Sequence, residues 1–355
     1  MWEIEMTHPK PLSKQMNRRS FLKLSGTMGI GLASASIWPH GAEAVAFNRR
    51  QKKVSSTRLA MGTFVSMILI HSSRDRAEEA MGLAFDEVKR LTDLMSRFDE
   101  KTAVAQLNKE GQLKGIPPEV AHVVAQALYF NKVSQGAFDI TVKPVVDLFR
   151  DKFSKGGEFK LEEKEFREAL ELVGSNSIEL DKRDIQFRKP GMGITLDGIA
   201  KGYIVDRASE LLNRHGIKSY LINAGGDIRT TGQREDKKPW TVAIQDPFKG
   251  KNYPDIVHIR NGAIATSGNY EIYFDREKMF HHIVDPRTGV SPELSTSVSV
   301  IAPTAMEADA LSTSVFVMNP VRGTSFINSL PQCESLVIGK DGAQTKSRGW
   351  KGSAI

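Results

Sequence analysis

The chain has 355 residues, of which 40% are hydrophobic and 26% are charged, a composition typical of a soluble protein with a substantial core. Its single cysteine, Cys333, excludes an internal disulfide framework and any metal cluster made of cysteines alone. The net charge is +7, but no basic stripe interleaved with aromatic residues is present, so nucleic acid is not expected as a partner.

The first 46 residues have the pattern of an export signal. A twin-arginine motif, Arg18-Arg19-Ser20-Phe21-Leu22-Lys23, precedes a mildly apolar run from Leu24 to Trp38. Small residues at alternate positions then predict cleavage by signal peptidase after Ala44 or Ala46. The run is shorter than a membrane span of about 20 apolar residues, although an uncleaved N-terminal anchor is an alternative. The sequence therefore predicts export by the Tat machinery to the periplasm.

Three segments follow this leader. Residues 47–57 are predicted to be a basic linker, residues 58–340 a folded domain, and residues 341–355 a polar C-terminal tail. Periodicity and turn residues predict the elements of the domain's first half. These are a strand at 58–71 interrupted by Met61-Gly62-Thr63, helices at 73–98, 117–135 and 161–173, and a hairpin at 177–188.

The central stretch, residues 193–232, reads as a loop, a helix and a buried strand that ends in a second glycine turn. Apolar residues recur at helical spacing between Ile199 and Leu212, and Gly216 ends the helix. Both ends of this unit carry glycine beside aspartate, as in Ala224-Gly225-Gly226-Asp227. Such backbone can close on an anion while the carboxylate holds a cation, although two tight turns without a ligand explain the pattern equally well.

The second half is rich in predicted strands. They lie at residues 240–245, 256–260, 263–266, 270–274, 279–284, 296–302 and 335–338. Asn261-Gly262 predicts a two-residue hairpin between the second and third of them, and Thr304 caps a helix at residues 305–318. Because strands and helices are mixed without strict alternation, we predict an α+β fold.

Two groups of side chains suggest chemistry. Asp309 and Thr313 are one helical turn apart and offer the oxygen ligands that Mg²⁺ prefers, although an ordinary helix carboxylate and a packed hydroxyl explain them as well. His281 and His282 end a predicted strand, where only one of them faces inward and a structural role is the commoner outcome. Motifs of zinc proteases, serine hydrolases and P-loop ATPases are missing from the sequence.

Eight short motifs, each weak alone, occur in an order that resembles the ApbE family, the FAD:protein FMN transferases. The motifs are Met61-Gly62-Thr63, Met95-Ser96-Arg97-Phe98, Gly136-Ala137-Phe138-Asp139, Asp197-Gly198-Ile199-Ala200-Lys201-Gly202-Tyr203, Asn223-Ala224-Gly225-Gly226-Asp227, Thr266-Ser267-Gly268, His282-Ile283-Val284-Asp285-Pro286 and Glu307-Ala308-Asp309-Ala310-Leu311-Ser312-Thr313. The resemblance covers roughly residues 57–340. It implies mixed sheets and helices in two subdomains, with FAD bound between them and Mg²⁺ at its pyrophosphate.

The resemblance also implies which residues bind. The residues that would line the FAD are Met61, Phe98, Ala137, Phe138, Asp139, Lys201 and Ile283. Asp309, Thr313 and the backbone carbonyl of Gly198 would hold the metal. The family usually has Asp where this chain has Thr195 and Gly where it has Asp197, so either residue is a candidate FAD contact.

The predicted function is Mg²⁺-dependent transfer of FMN from FAD to a Ser or Thr hydroxyl of a client flavoprotein in the periplasm, with release of AMP. His282 is the first candidate for the base or for orienting the phosphate, and Asp227 is the second. One alternative is a flavin-supply protein that binds or hydrolyses FAD. Another is an accessory protein that helps an exported respiratory metalloenzyme to mature.

Overall fold

The computed structural model describes residues 46–48, 51–154, 162–250, 253–269 and 281–352. Three predicted segments lie outside the described residues. They are the leader up to residue 45, the strand at 270–274 and the first part of the strand at 279–284. Within the described residues every pair of neighbouring strands is antiparallel, and helices and sheets are mixed. The α+β prediction is therefore confirmed.

In the described residues the main sheet contains nine strands, in the order β1-β2-β3-β7-β8-β11-β12-β13-β14. They are β1 (Ala46–Asn48), β2 (Gln51–Ala60), β3 (Thr63–His71), β7 (Tyr220–Ala224), β8 (Asp227–Thr231), β11 (Gly262–Gly268), β12 (Ser295–Ala302), β13 (Glu334–Gly339) and β14 (Gln344–Lys346). Two small sheets accompany it. They contain β9 (Trp240–Ala243) with β10 (Ile256–Ile259), and β4 (Gln112–Leu113), β6 (Asp184–Phe187) and β5 (Ile178–Asp181).

The described residues also form eight α-helices, of which the first, sixth, seventh and eighth pack against the main sheet. They are α1 (Arg74–Met95), α2 (Ala103–Glu110), α3 (Pro118–Val133), α4 (Lys143–Ser154), α5 (Glu163–Glu171), α6 (Ala200–Arg214), α7 (Ala305–Val317) and α8 (Pro320–Asn328). The largest apolar cluster fills the space between this helical layer and the sheet, with Val65, Val88, Ile204 and Phe316 among its buried members. A second cluster lies on the other face and includes Trp240 and Trp350.

Local capping signals explain where two of the helices begin. The Ser73 hydroxyl accepts the Arg76 N–H at the start of α1. At the start of α7, Thr304 caps the helix as the sequence led us to expect, and Glu307 completes a reciprocal capping box with it. Among the helices that the structure describes, none is both long and apolar enough to cross a membrane.

Some predicted elements were wrong. The strand predicted at 58–71 is the hairpin β2–β3, and β2 begins at Gln51, within the predicted linker. The Asn261-Gly262 hairpin is also wrong: β10 pairs with β9, whereas β11 pairs with β8 and β12, so this turn joins two sheets. Helices α2, α4 and α8 were not predicted, and β14 lies in the predicted polar tail.

Two tight turns lie side by side at one end of the main sheet. Met61-Gly62 joins β2 to β3 and Gly225-Gly226 joins β7 to β8, all four residues having positive φ. Val65 on β3 pairs with Ala224 on β7, so the two turns lie at the same end of their strands. Such two-residue turns match the twist of the strands, but a methionine in this conformation is strained. We call this end of the strands the turn end of the sheet.

Candidate active site

Lys201 and Asp227 form an ion pair at the turn end. Asp227 begins β8 and is buried, whereas Lys201 lies in the first turn of α6 with its side chain 31% exposed. The Lys201 Nζ lies 3.0 Å from Asp227 Oδ2, although this oxygen accepts no well-aligned hydrogen bond from the described residues. Burial raises the pKa of Asp227, and the charge of Lys201 opposes that rise.

Asp309 is a second buried carboxylate beside this pair. It projects from α7, and its Oδ2 accepts the Gly202 N–H at 3.1 Å. Burial raises the pKa of Asp309 well above its usual value and the negative charge of Asp227 raises it further, while Lys201 acts against both. Two carboxylates thus share one lysine, so a further cation would be stabilised here.

Thr313 lies one turn beyond Asp309 on α7, next to the loop that precedes α6. A Cβ placed on Gly198 would lie 3.1 Å from Thr313 Oγ1 and 3.3 Å from the Phe138 ring, so this backbone approaches both side chains closely. The Ser267 hydroxyl, at the end of β11, lies 2.8 Å from Ser312 Oγ and 3.3 Å from Thr313 Oγ1.

The donor set around Gly198 fits a hard cation. It offers one carboxylate, one hydroxyl and one backbone carbonyl, and Mg²⁺ prefers such oxygen ligands while keeping water or phosphate in its other positions. No group of three or more His, Cys, Asp or Glu side chains is arranged for a metal within the described ranges. That Gly198, Asp309 and Thr313 bind Mg²⁺ stays a prediction.

The predicted flavin contacts differ in exposure. Ala137, Phe138 and Ile283 are buried, whereas Phe98 is 70% exposed. Met61 occupies the strained turn between β2 and β3. Whether these five residues contact FAD stays a prediction.

Asp139 is fully engaged by the protein itself. Its two carboxylate oxygens accept hydrogen bonds from the backbone and hydroxyl of Thr141, from the backbone and hydroxyl of Ser175, and from the Asn131 amide. These bonds fix the segment that follows Phe138. Whether Asp139 also contacts FAD stays a prediction.

Thr195 and Asp197 lie in different surroundings. Thr195 is buried and its Oγ1 accepts the Asp197 N–H at 3.3 Å. The Asp197 side chain is 55% exposed and pairs with Arg97, whose Nε lies 3.2 Å from Asp197 Oδ2. The structure thus places the carboxylate at the surface of the loop and the hydroxyl inside it, and which of them contacts FAD stays open.

The two histidines face different surroundings, although the described part of the predicted strand, residues 281–284, contains only an isolated bridge at His281. His281 is buried, its Nδ1 accepts the Ile283 N–H, and its Nε2 donates to the Pro292 carbonyl. These bonds fix one neutral tautomer and make His281 structural. His282 is half-buried, so it is the more accessible of the two.

Sequence reasoning missed three residues that hold the site together. Asn108 on α2 bonds both the N–H and the carbonyl of Ile194, in the loop before α6. Asp206 on α6 accepts the N–H groups of Ala305 and Met306, both at 2.9 Å, at the start of α7. Arg97 joins Asp197 to Asp147. Only the fold could reveal these contacts, since each joins segments that are distant in sequence.

The comparison with protein families identifies the family of the chain. The model of the ApbE family matches residues 61–337. This chain belongs to the ApbE family. A relative from Haemophilus influenzae, named FAD:protein FMN transferase, is 33% identical over 273 residues, which cover 73% of this chain and 79% of the relative. A protein of the same name from Treponema pallidum is 28% identical and covers 82% of this chain and 86% of its own length.

Solved structures agree with this family. The ApbE protein from Thermotoga maritima superposes with a TM-score of 0.75 at 30% identity, covering 83% of this chain and 97% of its own. The flavin transferase ApbE from Vibrio cholerae gives a TM-score of 0.74 at 25% identity, with 84% and 98% covered. The resemblance inferred from eight short motifs is confirmed.

Proposed function

We propose that this protein is a Mg²⁺-dependent FAD:protein FMN transferase that acts on a client flavoprotein. The observation that carries the proposal is the polar cluster at the turn end, in a chain of the ApbE family. There, Lys201 pairs with the buried Asp227, and the buried Asp309 accepts the Gly202 N–H. A half-exposed lysine beside two buried carboxylates suits a substrate that brings phosphate together with a divalent cation.

The proposed reaction is one displacement at phosphorus. The oxygen of a client Ser or Thr hydroxyl attacks the FMN phosphorus of FAD, and the bond from that phosphorus to the bridging oxygen breaks. AMP leaves with the bridging oxygen, and the hydroxyl proton passes to a base. We assign His282 as the base or as the group that orients the phosphate, with Asp227 as the second candidate.

The other residues bind and orient. Lys201 would neutralise phosphate charge, since its Nζ lies at the site and its side chain is partly exposed. The carboxylate of Asp309, the hydroxyl of Thr313 and the carbonyl of Gly198 would hold Mg²⁺. When bound, Mg²⁺ neutralises the pyrophosphate and the charge that develops on departing AMP.

A mass measurement tests the proposal. The mature protein is incubated with FAD, Mg²⁺ and a candidate periplasmic or membrane flavoprotein, and an FMN-sized mass gain on the client is the expected result. Asp309→Ala should reduce this gain to background because the metal loses its only carboxylate, and Thr313→Val should reduce it less because water can replace a neutral ligand. Asp93→Ala, on the exposed face of α1, is the matched control and should retain full activity.

The same experiment separates the alternatives. Free FMN and AMP without a mass gain on any client would indicate a flavin-supply hydrolase and contradict transfer. FAD binding without cleavage would favour an accessory role in metalloenzyme maturation. A client labelled only when Mg²⁺ is present supports the transferase.

We also propose that the protein is exported by the Tat machinery and works in the periplasm. Arg18-Arg19 and the small residues before Ala44 and Ala46 support this proposal. Replacing both arginines by lysine should leave unprocessed precursor in the cytoplasm, as detected by fractionation and immunoblotting. Normal processing of that variant would contradict Tat dependence.

A further inference from the structure

Arg97 is an almost buried cation that contacts two distant segments and the ring of the neighbouring Phe98. Its side chain is 6% exposed, and its Nη1 lies 2.9 Å from Asp147 Oδ1 on α4. Its Nε lies 3.2 Å from Asp197 Oδ2, in the loop before α6. Its guanidinium lies over the Phe98 ring, 4.5 Å from the centroid. The planar guanidinium group of arginine has several N–H donors and can bind two carboxylates while it stacks on a ring, whereas a lysine ammonium group cannot.

The loop that Arg97 contacts carries the Gly198 backbone. Residues 192–199 contain no helix or strand. Asn108 fixes their first half through Ile194, and the Thr195 N–H donates to the Ile140 carbonyl at 2.8 Å. The second half approaches Thr313 and Phe138 closely at Gly198. The Arg97–Asp197 ion pair lies one residue before that approach.

We propose that Arg97 is a positioning residue for flavin transfer, which holds the Asp197–Gly198 peptide against Thr313 and Phe138. This inference rests on the proposed function and names a residue that supports the same site. Arg97 acts through the loop, so its loss should weaken the binding of FAD together with Mg²⁺ while the fold stays intact. Asp147 keeps the pairs with Lys143 and Arg150 when Arg97 is replaced, so α4 retains its own ion pairs.

The test measures FAD binding by flavin fluorescence in the presence of Mg²⁺, on the full mature chain. Arg97→Gln should raise the FAD dissociation constant by about 10–100-fold, the usual effect of losing a supporting contact. Arg97→Lys should lose less FAD affinity than Arg97→Gln, because it keeps the positive charge although it lacks the guanidinium group. Arg150→Gln is the matched control. Arg150 also contacts Asp147 and the Phe98 ring but not Asp197, so its removal should leave FAD affinity unchanged.

Asp197→Asn makes the test independent of any folding defect, because this side chain is half-exposed. We expect weaker FAD binding in this variant, and the double variant with Arg97→Gln should bind no more weakly than Arg97→Gln alone, since both remove one contact. Because Asp197 is also a candidate FAD contact, a double variant that binds more weakly than Arg97→Gln would assign Asp197 to the flavin itself and overturn the proposal. Two results together would overturn the proposal. In them, Asp197→Asn binds FAD with wild-type affinity, and Asp147→Asn loses as much FAD affinity as Arg97→Gln does. Arg97 would then support only α4. A wild-type protein that binds FAD without modifying a client would contradict the proposed function, while these affinities would still decide the role of Arg97.

Discussion

At the scale of single residues, the balance of charge is what distinguishes the turn end from an ordinary core. Asp227 and Asp309 are both buried, and Lys201 is the cation that pairs with the first of them. Burial raises the pKa of both carboxyls, so ionising the two together is unfavourable in the protein alone. The proposed Mg²⁺ would reverse this balance, because a divalent cation favours the ionised form of both carboxyls.

His282 should affect the rate of transfer more than the binding of FAD. If it acts on the hydroxyl or on the reacting phosphate, its contribution arises mainly in the transition state. His282→Ala should then lower single-turnover transfer by about 10²–10⁴-fold, with little change in the FAD dissociation constant. Both quantities are measured on the same protein, by quenched-flow transfer and by flavin fluorescence.

His281→Ala is the matched comparison for this prediction. It removes a buried ring that bonds Ile283 and Pro292, so it should lower the thermal midpoint and weaken FAD binding through Ile283. Transfer at the normal rate by His282→Ala with FAD saturating would make His282 structural as well. Asp227 would then become the first candidate for the base.

At the scale of elements, the site depends on how α6 lies against α7. The carboxylate of Asp206 accepts two N–H groups at the start of α7, where the helix dipole favours a negative charge. Four residues earlier on α6, the Gly202 N–H donates to Asp309. These two contacts fix Lys201 relative to Asp309, so both helices must keep their register for the site to form.

The stability of the protein should reflect the ionisation of Asp206. Burial raises the pKa of Asp206 from 3.8 to about 6, against its two backbone hydrogen bonds and Arg229, while Glu210 adds to the rise. Because the folded-state pKa is raised, the protonated Asp206 carboxyl adds to the free energy of unfolding below pH 4. This stabilisation is lost as pH rises through about 6. Relative to Asp206→Asn, the wild-type free energy of unfolding should fall by about 3 kcal/mol across this range. Urea unfolding from pH 4 to pH 7 measures it, and parallel curves for the two proteins would contradict the prediction.

Gly202 should tolerate no side chain, because α6 and α7 touch there through their backbones. A Cβ at this position would lie 2.6 Å from the carbonyl carbon of Ala305 and 2.7 Å from Met306 Cα. Gly202→Ala should therefore destabilise the protein by about 1–3 kcal/mol or more and weaken FAD binding.

Gly82→Ala is the control for that substitution. Gly82 is also within a helix, α1, but an added Cβ would meet no atom within 4 Å. This change should stabilise the protein by about 0.5–1 kcal/mol through helix propensity alone. Thermal unfolding compares the two variants, and equal midpoints would show that α6 and α7 can separate without cost.

At the scale of the whole molecule, local signals were predictable from the sequence and distant pairings were not. The helix cap at Thr304 and the glycine stop at Gly216 depend on neighbouring residues, and both were predicted correctly. The turn at Asn261-Gly262 has the local signature of a hairpin, yet pairing with β8 and β12 takes the following strand into another sheet. Convergence of Gly198 with Thr313 was expected only from the family resemblance, since no periodicity links residues so far apart.

The C-terminal segment is a second case in which a distant contact could not be predicted. Its composition is polar, yet it packs against the main sheet. Trp350 is buried against the second apolar cluster, and its Nε1 donates to Asp255 at 2.9 Å. Lys346 pairs with the same carboxylate at 2.7 Å, and Asp255 is fully buried. The segment thus closes the face of the main sheet opposite to the helices.

Trp350→Ala should therefore destabilise the whole domain by about 3–5 kcal/mol, because it removes a large buried side chain and one hydrogen bond from a buried carboxylate. The FAD dissociation constant of the folded fraction should stay unchanged, since α6 and α7 lie on the other face of the sheet. Lys351→Ala, next in sequence and exposed, is the control and should stay within about 0.5 kcal/mol of the wild type. Urea unfolding followed by tryptophan fluorescence measures both variants, with Trp240 as the reporter that both mature proteins retain. A wild-type midpoint for Trp350→Ala would show that the last strand and Trp350 lie outside the cooperative unit.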